Sequence, residues 1–238
     1  MNLFHEKSLA QTIDAVNESL FFGKTIPAKQ KKEIANWLAS RQGLEGSYAG
    51  MITPTPYDFK HGIRVFTGEP MRTKAGTSHI LGEESSRLLI KLDVKNGLIT
   101  DALKKSNQGF EGAIRRSLAM GNTEGRYCCG TCTAAYWRNL AAGGLSKQEK
   151  RLAMGMKYLN TRRDGKSATG GRWRSMPYYY TLLALVDVDL PSAIKELQYT
   201  APGLEKLLKQ FKISKQELRN QKYENRRKVL VEKVLKMV

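Results

Sequence analysis

Twice in this chain an aromatic–Leu pair closes a helical pattern and runs into a glycine turn that ends on another aromatic. The first copy is Trp37-Leu38, followed by Gln42, Gly43, Gly46 and Tyr48. The second is Tyr158-Leu159, followed by Arg163, Asp164, Gly165, Gly171 and Trp173. A turn that recurs between helical patterns restricts the chain to a fold built from repeated helix pairs.

The surrounding periodicity agrees. Leu9, Ile13, Val16 and Leu20 recur at helical spacing, which predicts a helix over residues 6–21 that ends at Gly23. Pro27 suits the first turn of a second helix, running to about Gln42. The stretch 43–79 is rich in Gly and Pro and long for a loop, with His61 to Phe66 as a short strand or turn inside it. Thr77 or Ser78 is the expected cap of a helix through Leu92. Short helices are expected over 98–105 and 109–119, then one from Tyr127 to Gly143-Gly144. Ser146-Lys147-Gln148-Glu149 has the form of a capping box opening a helix to Arg162. Pro177 and Pro191 each open a further helix. Ser214-Lys215-Gln216-Glu217 repeats the capping box before a basic terminal helix. Strand signals are few. The fold class is therefore all-α, with consecutive antiparallel helix pairs. A single helical-repeat domain is expected over 1–213, with 214–238 as a separate basic helix.

Composition narrows the partners. With 40 Lys and Arg against 22 Asp and Glu, the net charge is +18. The excess has two centres, 147–174 and 204–238, each at +7. Such a chain attracts an anionic partner: a nucleic acid, a phosphorylated ligand or, peripherally, a membrane surface. No apolar run approaches the roughly 18 residues of a transmembrane helix. Residues 1–18 carry no charged-then-apolar leader pattern, so a cytoplasmic protein is the expectation. Three Cys clustered between 128 and 132 do not make a disulfide framework.

The first glycine turn resembles the QW motif of squalene cyclases and of the wider terpenoid cyclase and protein prenyltransferase α/α-toroid group. That motif is an aromatic–Leu pair, a Gln four residues after the Leu, then Gly-x-aromatic, matched here by Trp37-Leu38, Gln42, Gly46 and Tyr48. Tyr48 stands where Trp is usual, and the second copy has Arg163 in place of Gln. The resemblance implies an α/α toroid and an isoprenoid-type apolar ligand, with or without a diphosphate. The group's acidic Asp-x-Asp-Asp motif is not reproduced, because Leu190-Pro191 follow Asp187-Val188-Asp189. Its zinc set has no counterpart in the histidine spacing. The resemblance names no cofactor for this chain.

Three groups of residues carry candidate chemistry. Asp58 and His61 are spaced to act as an acid/base pair on the long loop. The run Cys128-Cys129-Gly130-Thr131-Cys132 lacks a second pair of ligands, so no metal is assigned from it. It reads either as small side chains allowing close packing or as reactive thiols, with Cys128 and Cys132 the catalytic candidates. Lys166, Arg172, Trp173, Arg174, Tyr178, Tyr179 and Tyr180 combine cations with aromatics. That mixture suits an isoprenoid diphosphate, the cations on the phosphate and the rings along the chain. It equally suits a nucleic-acid strand stacking on the rings, and it leaves room for a non-catalytic interaction scaffold. No Walker A loop, dinucleotide glycine motif, His-Glu-x-x-His or Gly-x-Ser-x-Gly occurs.

Overall fold

The computed structural model describes residues 2–71, 73–166, 168, 170–210 and 218–238, with 218–220 as backbone only. Its elements are α1 (Leu9–Phe21), α2 (Ala28–Ser40), α3 (Pro56–His61), β1 (Ile63–Arg64), β2 (Pro70–Met71), α4 (Lys74–Leu92), α5 (Gly97–Ala119), α6 (Gly130–Ala141), α7 (Gln148–Thr161), α8 (Tyr178–Asp187), α9 (Pro191–Gln210) and α10 (Leu218–Met237). The fold is all-α. Among the described residues the only sheet is the short hairpin that pairs Ile63 with Met71 and Arg64 with Pro70. No helix among them is long and apolar enough to cross a membrane.

The chain divides into two compact units, residues 1–122 with 142–146, and residues 123–141 with 147–238. These units do not follow the expected division into a helical-repeat domain over 1–213 and a basic helix over 214–238. In the first unit α4 packs on α1, α2 and α5, and α2 also packs on α5. In the second, α6 packs on α7 and α8, while α9 packs on α7 and α8. There α10 lies against α8 and α9 and buries Leu230, Val231, Val234 and Arg226. Those side chains make it part of the second unit's core, while Met237 near its end stays exposed.

Local side chains cap the starts of α1, α3, α4 and α5. Ser8 caps α1 by accepting the Gln11 N–H, and Leu9, Ile13 and Val16 fill the buried face. Asn96 caps α5 in the same way through Ile99. Three expectations change. The cap of α4 is Thr73, which accepts from Gly76, so the helix starts a turn before Thr77. The two short helices over 98–119 are one helix, α5, running through Gly109. At the start of α7 the Ser146 hydroxyl donates to Glu111 (3.1 Å), Lys147 adopts φ 53°, and no capping box forms. The box at 214–217 falls outside the described residues.

The paired backbone of the two glycine turns is built alike at an offset of 121 positions, as Trp37 to Tyr158 and Gln42 to Arg163, so Trp173 answers Ile52 and not the Tyr48 of the sequence pattern. Gln42 bridges Ile52, and Arg163 bridges Trp173, both antiparallel. The Thr53 N–H donates to the Arg41 carbonyl (3.0 Å), and the Arg174 N–H to the Arg162 carbonyl (2.8 Å). The Arg41 guanidinium closes its turn on the Thr53 carbonyl (2.7 Å), and Arg162 reaches the Arg174 carbonyl (3.3 Å). The tips, Ala49 at φ 53° and Gly170 at φ 99°, are both left-handed. Each tip presses on a glycine of its unit's fourth long helix. A Cβ on Gly109 of α5 would stand 1.7 Å from the Ala49 carbonyl oxygen, and one on Gly203 of α9 would stand 2.5 Å from Gly170 Cα.

Candidate functional site

The first turn frames a groove. Arg41 ends α2 and spends its guanidinium on the carbonyls of Thr53 and Pro54 (2.7 and 2.8 Å), which holds the return strand of the turn flat. Burial lowers the pKa of that guanidinium, and Asp58 offsets the effect. Beside it lies an open groove of about 720 Å³, mostly apolar in lining. Leu44, Pro54, Pro56 and Phe59 supply the apolar surface, and Lys60 and Lys74 place two exposed cations on its rim. Leu44 keeps 47% of its surface exposed there, a cost that a bound apolar group would remove. The sequence reading passed over this groove. Its one signal was the run Pro54-Thr55-Pro56 following an exposed Leu.

Asp58 and His61 border the same region but do not hydrogen-bond to each other. One carboxylate oxygen of Asp58 accepts from the Ser8 hydroxyl (2.7 Å) and the Ala10 N–H (3.2 Å). The other accepts from the N–H groups of Leu9 (3.0 Å) and Thr55 (2.9 Å) and from the Thr55 hydroxyl (2.8 Å). The buried carboxylate thus caps α1 and α3 together, completing the capping box of α3. His61 is exposed, with its ring stacked on Tyr57 at 3.9 Å. The expected acid/base pair is corrected to a double cap and a surface ring.

The second turn replaces Gln42 by Arg163, and the surroundings accommodate the charge. Gln42 donates to the Gly50 carbonyl across its own turn (2.7 Å). Arg163 instead pairs with the buried carboxylate of Glu196 (3.1 Å) and lies 4.4 Å over the Tyr199 ring. Glu196 also accepts the Trp173 indole N–H (2.8 Å). Asp164 accepts the Tyr199 hydroxyl (2.6 Å) and the N–H groups of Lys166 and Arg172 (both 3.1 Å).

The predicted cationic–aromatic set therefore splits. Trp173 and Tyr180 are core residues, at 3% and 0% exposure, and cannot line a ligand site as expected. Lys166, Arg172 and Arg174 are exposed, and Tyr178 and Tyr179 are half-buried. Arg172 lies 4.7 Å over the Tyr178 ring, and Arg227 of α10 lies 4.6 Å over Tyr179. The two phenols meet edge to face at 5.3 Å. Burial pushes the Tyr178 phenol up to about 12, so it stays neutral beneath its arginine. Arg227 was not singled out from sequence, because nothing local ties it to the tyrosines.

The cysteines lie at the start of α6. Cys128 and Cys129 precede the helix and are exposed, which excludes the packing role for both, while Cys132 is buried in the first turn. The Cys129 carbonyl accepts the Thr133 N–H (2.9 Å), and its sulfur lies 3.6 Å from that of Cys132. Hydrogen bonds from Cys128 first, then Cys132, hold the Cys129 thiol well below its ordinary range. The same bond raises Cys128.

Helix α4 carries a polar cluster that periodicity hid. Glu83, Glu84, Ser85, Ser86 and Arg87 are all buried. Glu84 accepts from Arg87 (3.0 Å) and from the Asn17 amide (3.3 Å), and Arg87 also donates to the Asn17 carbonyl. The available signal was Glu84, three residues after Leu81 and four before Leu88 and so on the face read as inward.

Comparison with family models, with curated proteins and with solved structures finds no match for this chain.

Proposed function

We propose that this chain binds an amphiphilic anion, an apolar chain of isoprenoid type with a phosphate or diphosphate head, in the groove beside the first glycine turn. The duplicated turn supports a repeat of the α/α-toroid kind. The observation that carries the reading is the groove itself: Leu44, Pro54, Pro56 and Phe59 form an apolar wall, and Lys60 and Lys74 line it with two cations against the single carboxylate of Glu45. The apolar chain lies along the wall and the head meets the two ammonium groups. The reading is one of binding, and Asp58 beside the groove serves to cap α1 and α3.

The test is a thermal shift of the full chain with a polyprenyl diphosphate, with inorganic diphosphate alone, and at two salt concentrations. A ligand at 100 times its dissociation constant stabilises by about 2.7 kcal/mol. The polyprenyl compound is expected to shift the melt more than diphosphate does, and the excess to survive salt. Lys60→Ala with Lys74→Ala should weaken it by about tenfold, roughly 1.4 kcal/mol for the two exposed charge contacts together. Equal shifts for the two compounds would sink the reading.

A second reading rests on Arg172, Tyr178, Tyr179 and Arg227. Guanidinium groups over half-exposed phenols suit phosphates and bases of a single strand. A shift given only by single-stranded nucleic acid, and erased by salt, would favour it over the groove.

A further inference from the structure

We propose that Cys128, Cys129 and Cys132 form a three-thiolate site for one thiophilic d10 metal ion, of the zinc and cuprous class. The site is independent of the groove and of what the groove binds.

The spacing is that of ligands. The Cys129 and Cys132 sulfurs lie 3.6 Å apart, and those of Cys128 and Cys132 within 4.8 Å. A metal–sulfur bond of about 2.3 Å sets neighbouring thiolates about 3.8 to 4.0 Å apart around one ion, tetrahedral or trigonal. A disulfide would need about 2.05 Å, so oxidation requires the sulfurs to move and an ion does not. The ligands come from five consecutive residues whose backbone is held. Gly130 lies so close to the next loop that a Cβ there would meet the Ser175 carbonyl oxygen at 2.2 Å. The Met176 thioether lies against the same glycine, 3.1 Å from that Cβ position, which adds a soft neighbour.

The surroundings suit an anionic cluster. The backbone N–H groups of Thr131 and Cys132 point at the Cys129 sulfur, at the start of a helix. Cys128 and Cys129 are exposed, which gives an ion its path, and buried Cys132 anchors the third ligand. Each thiol that ligates loses its proton to solvent, and the ion takes the sulfur lone pair, so the step needs no oxidant. Water or a further side chain completes a zinc sphere, while a cuprous ion is content with three sulfurs.

The test uses the reduced full chain, titrated separately with Cd²⁺ as the spectroscopic stand-in for Zn²⁺ and with Cu⁺. A thiolate-to-metal charge-transfer band saturating at one ion per chain is expected, with all three cysteines protected from alkylation. Cys128→Ser and Cys129→Ser change exposed residues, so folding survives, and each should weaken binding by at least about tenfold. Two results would overturn the proposal. One is no band with either ion. The other is a band unchanged in both variants. In the first case, a Cys129–Cys132 disulfide formed in air would assign the thiols to a redox pair instead.

Discussion

Asp58 and Asp164 are both turn carboxylates, and they do opposite work. Asp58 is buried and gathers five donors from two helix starts, so it fixes where α1 and α3 begin. Asp164 sits at the surface and ties the tip of the second turn to α9 through Tyr199 (2.6 Å). The Tyr199 hydroxyl is the chief cause holding the Asp164 pKa at about 2, below its ordinary 3.8, with the Arg172 and Lys166 N–H groups adding to it. A carboxylate with a depressed folded pKa stabilises the native state above its unfolded pKa, and that stability is lost as pH falls. The second turn should therefore loosen as pH drops from 3.8 toward 2. Tyr199→Phe removes the largest cause, so Asp164 should titrate nearer its ordinary value. Following the Asp164 side-chain carbon by NMR through an acid titration checks this. An unmoved midpoint in the variant would show that the backbone donors suffice. Neither carboxylate's role could be read from sequence. Asp58 was legible as a polar loop residue near a histidine; its two Thr55 donors are local, but Ser8, Leu9 and Ala10 lie some 50 positions away, and only the fold brings them to it.

At the scale of the element, propensity and packing compete most plainly at glycine. Gly109 lies mid-helix, where Ala would gain about 1 kcal/mol in propensity. The two helices expected from sequence, 98–105 and 109–119, put a gap just before it. The Ala49 carbonyl explains why glycine sits inside a continuous α5, since a Cβ would stand 1.7 Å from that oxygen. Backbone cannot yield as a flexible side chain does, so overpacking of about 1–3 kcal/mol outweighs the propensity gain. Gly109→Ala should lower the stability of the first unit by roughly 1–2 kcal/mol. Gly97→Ala is the control: it lies in the first turn of the same helix with nothing within 4 Å of its Cβ position, and should stabilise by about 0.5 kcal/mol. Urea denaturation of the two variants measures both signs. Two losses of equal size would mean that the turn does not press on α5. A local side-chain cap did not by itself make a helix start legible: α5 begins at Gly97, one residue from the expected 98, but α1 begins at Leu9 behind Ser8 and not at 6, and α4 behind Thr73 and not Thr77 or Ser78. The capping box before α7 was misread because its Ser146 has a distant partner in Glu111.

Across the whole molecule, the repeat was legible because its signature is local: an aromatic–Leu pair, a turn and a returning strand. What each unit adds to the repeat was not. The first unit carries α3 and the hairpin between its turn and α4, and these bring Phe59 and Lys60 to the groove. The second unit goes from its turn straight to α8 and adds α10 at its end. The sparse apolar residues of α10 read as a solvated arm, since four buried positions on a helix so rich in cations give little periodicity. Their burial against α8 and α9 makes the helix structural. Three of them are aliphatic, worth roughly 2 kcal/mol each on burial, and the fourth, Arg226, is buried among them at 1% exposure. Removing residues 218–238 should therefore cost the second unit several kcal/mol and bare the half-buried Tyr179 that Arg227 covers. Hydrogen exchange of the truncated chain locates the loss. Faster exchange confined to α8 and α9, with α1, α2, α4 and α5 keeping their protection, is the expected pattern. Unchanged exchange in α8 and α9 would return α10 to the role of a detachable arm, and the net charge it carries would then serve a partner rather than the fold.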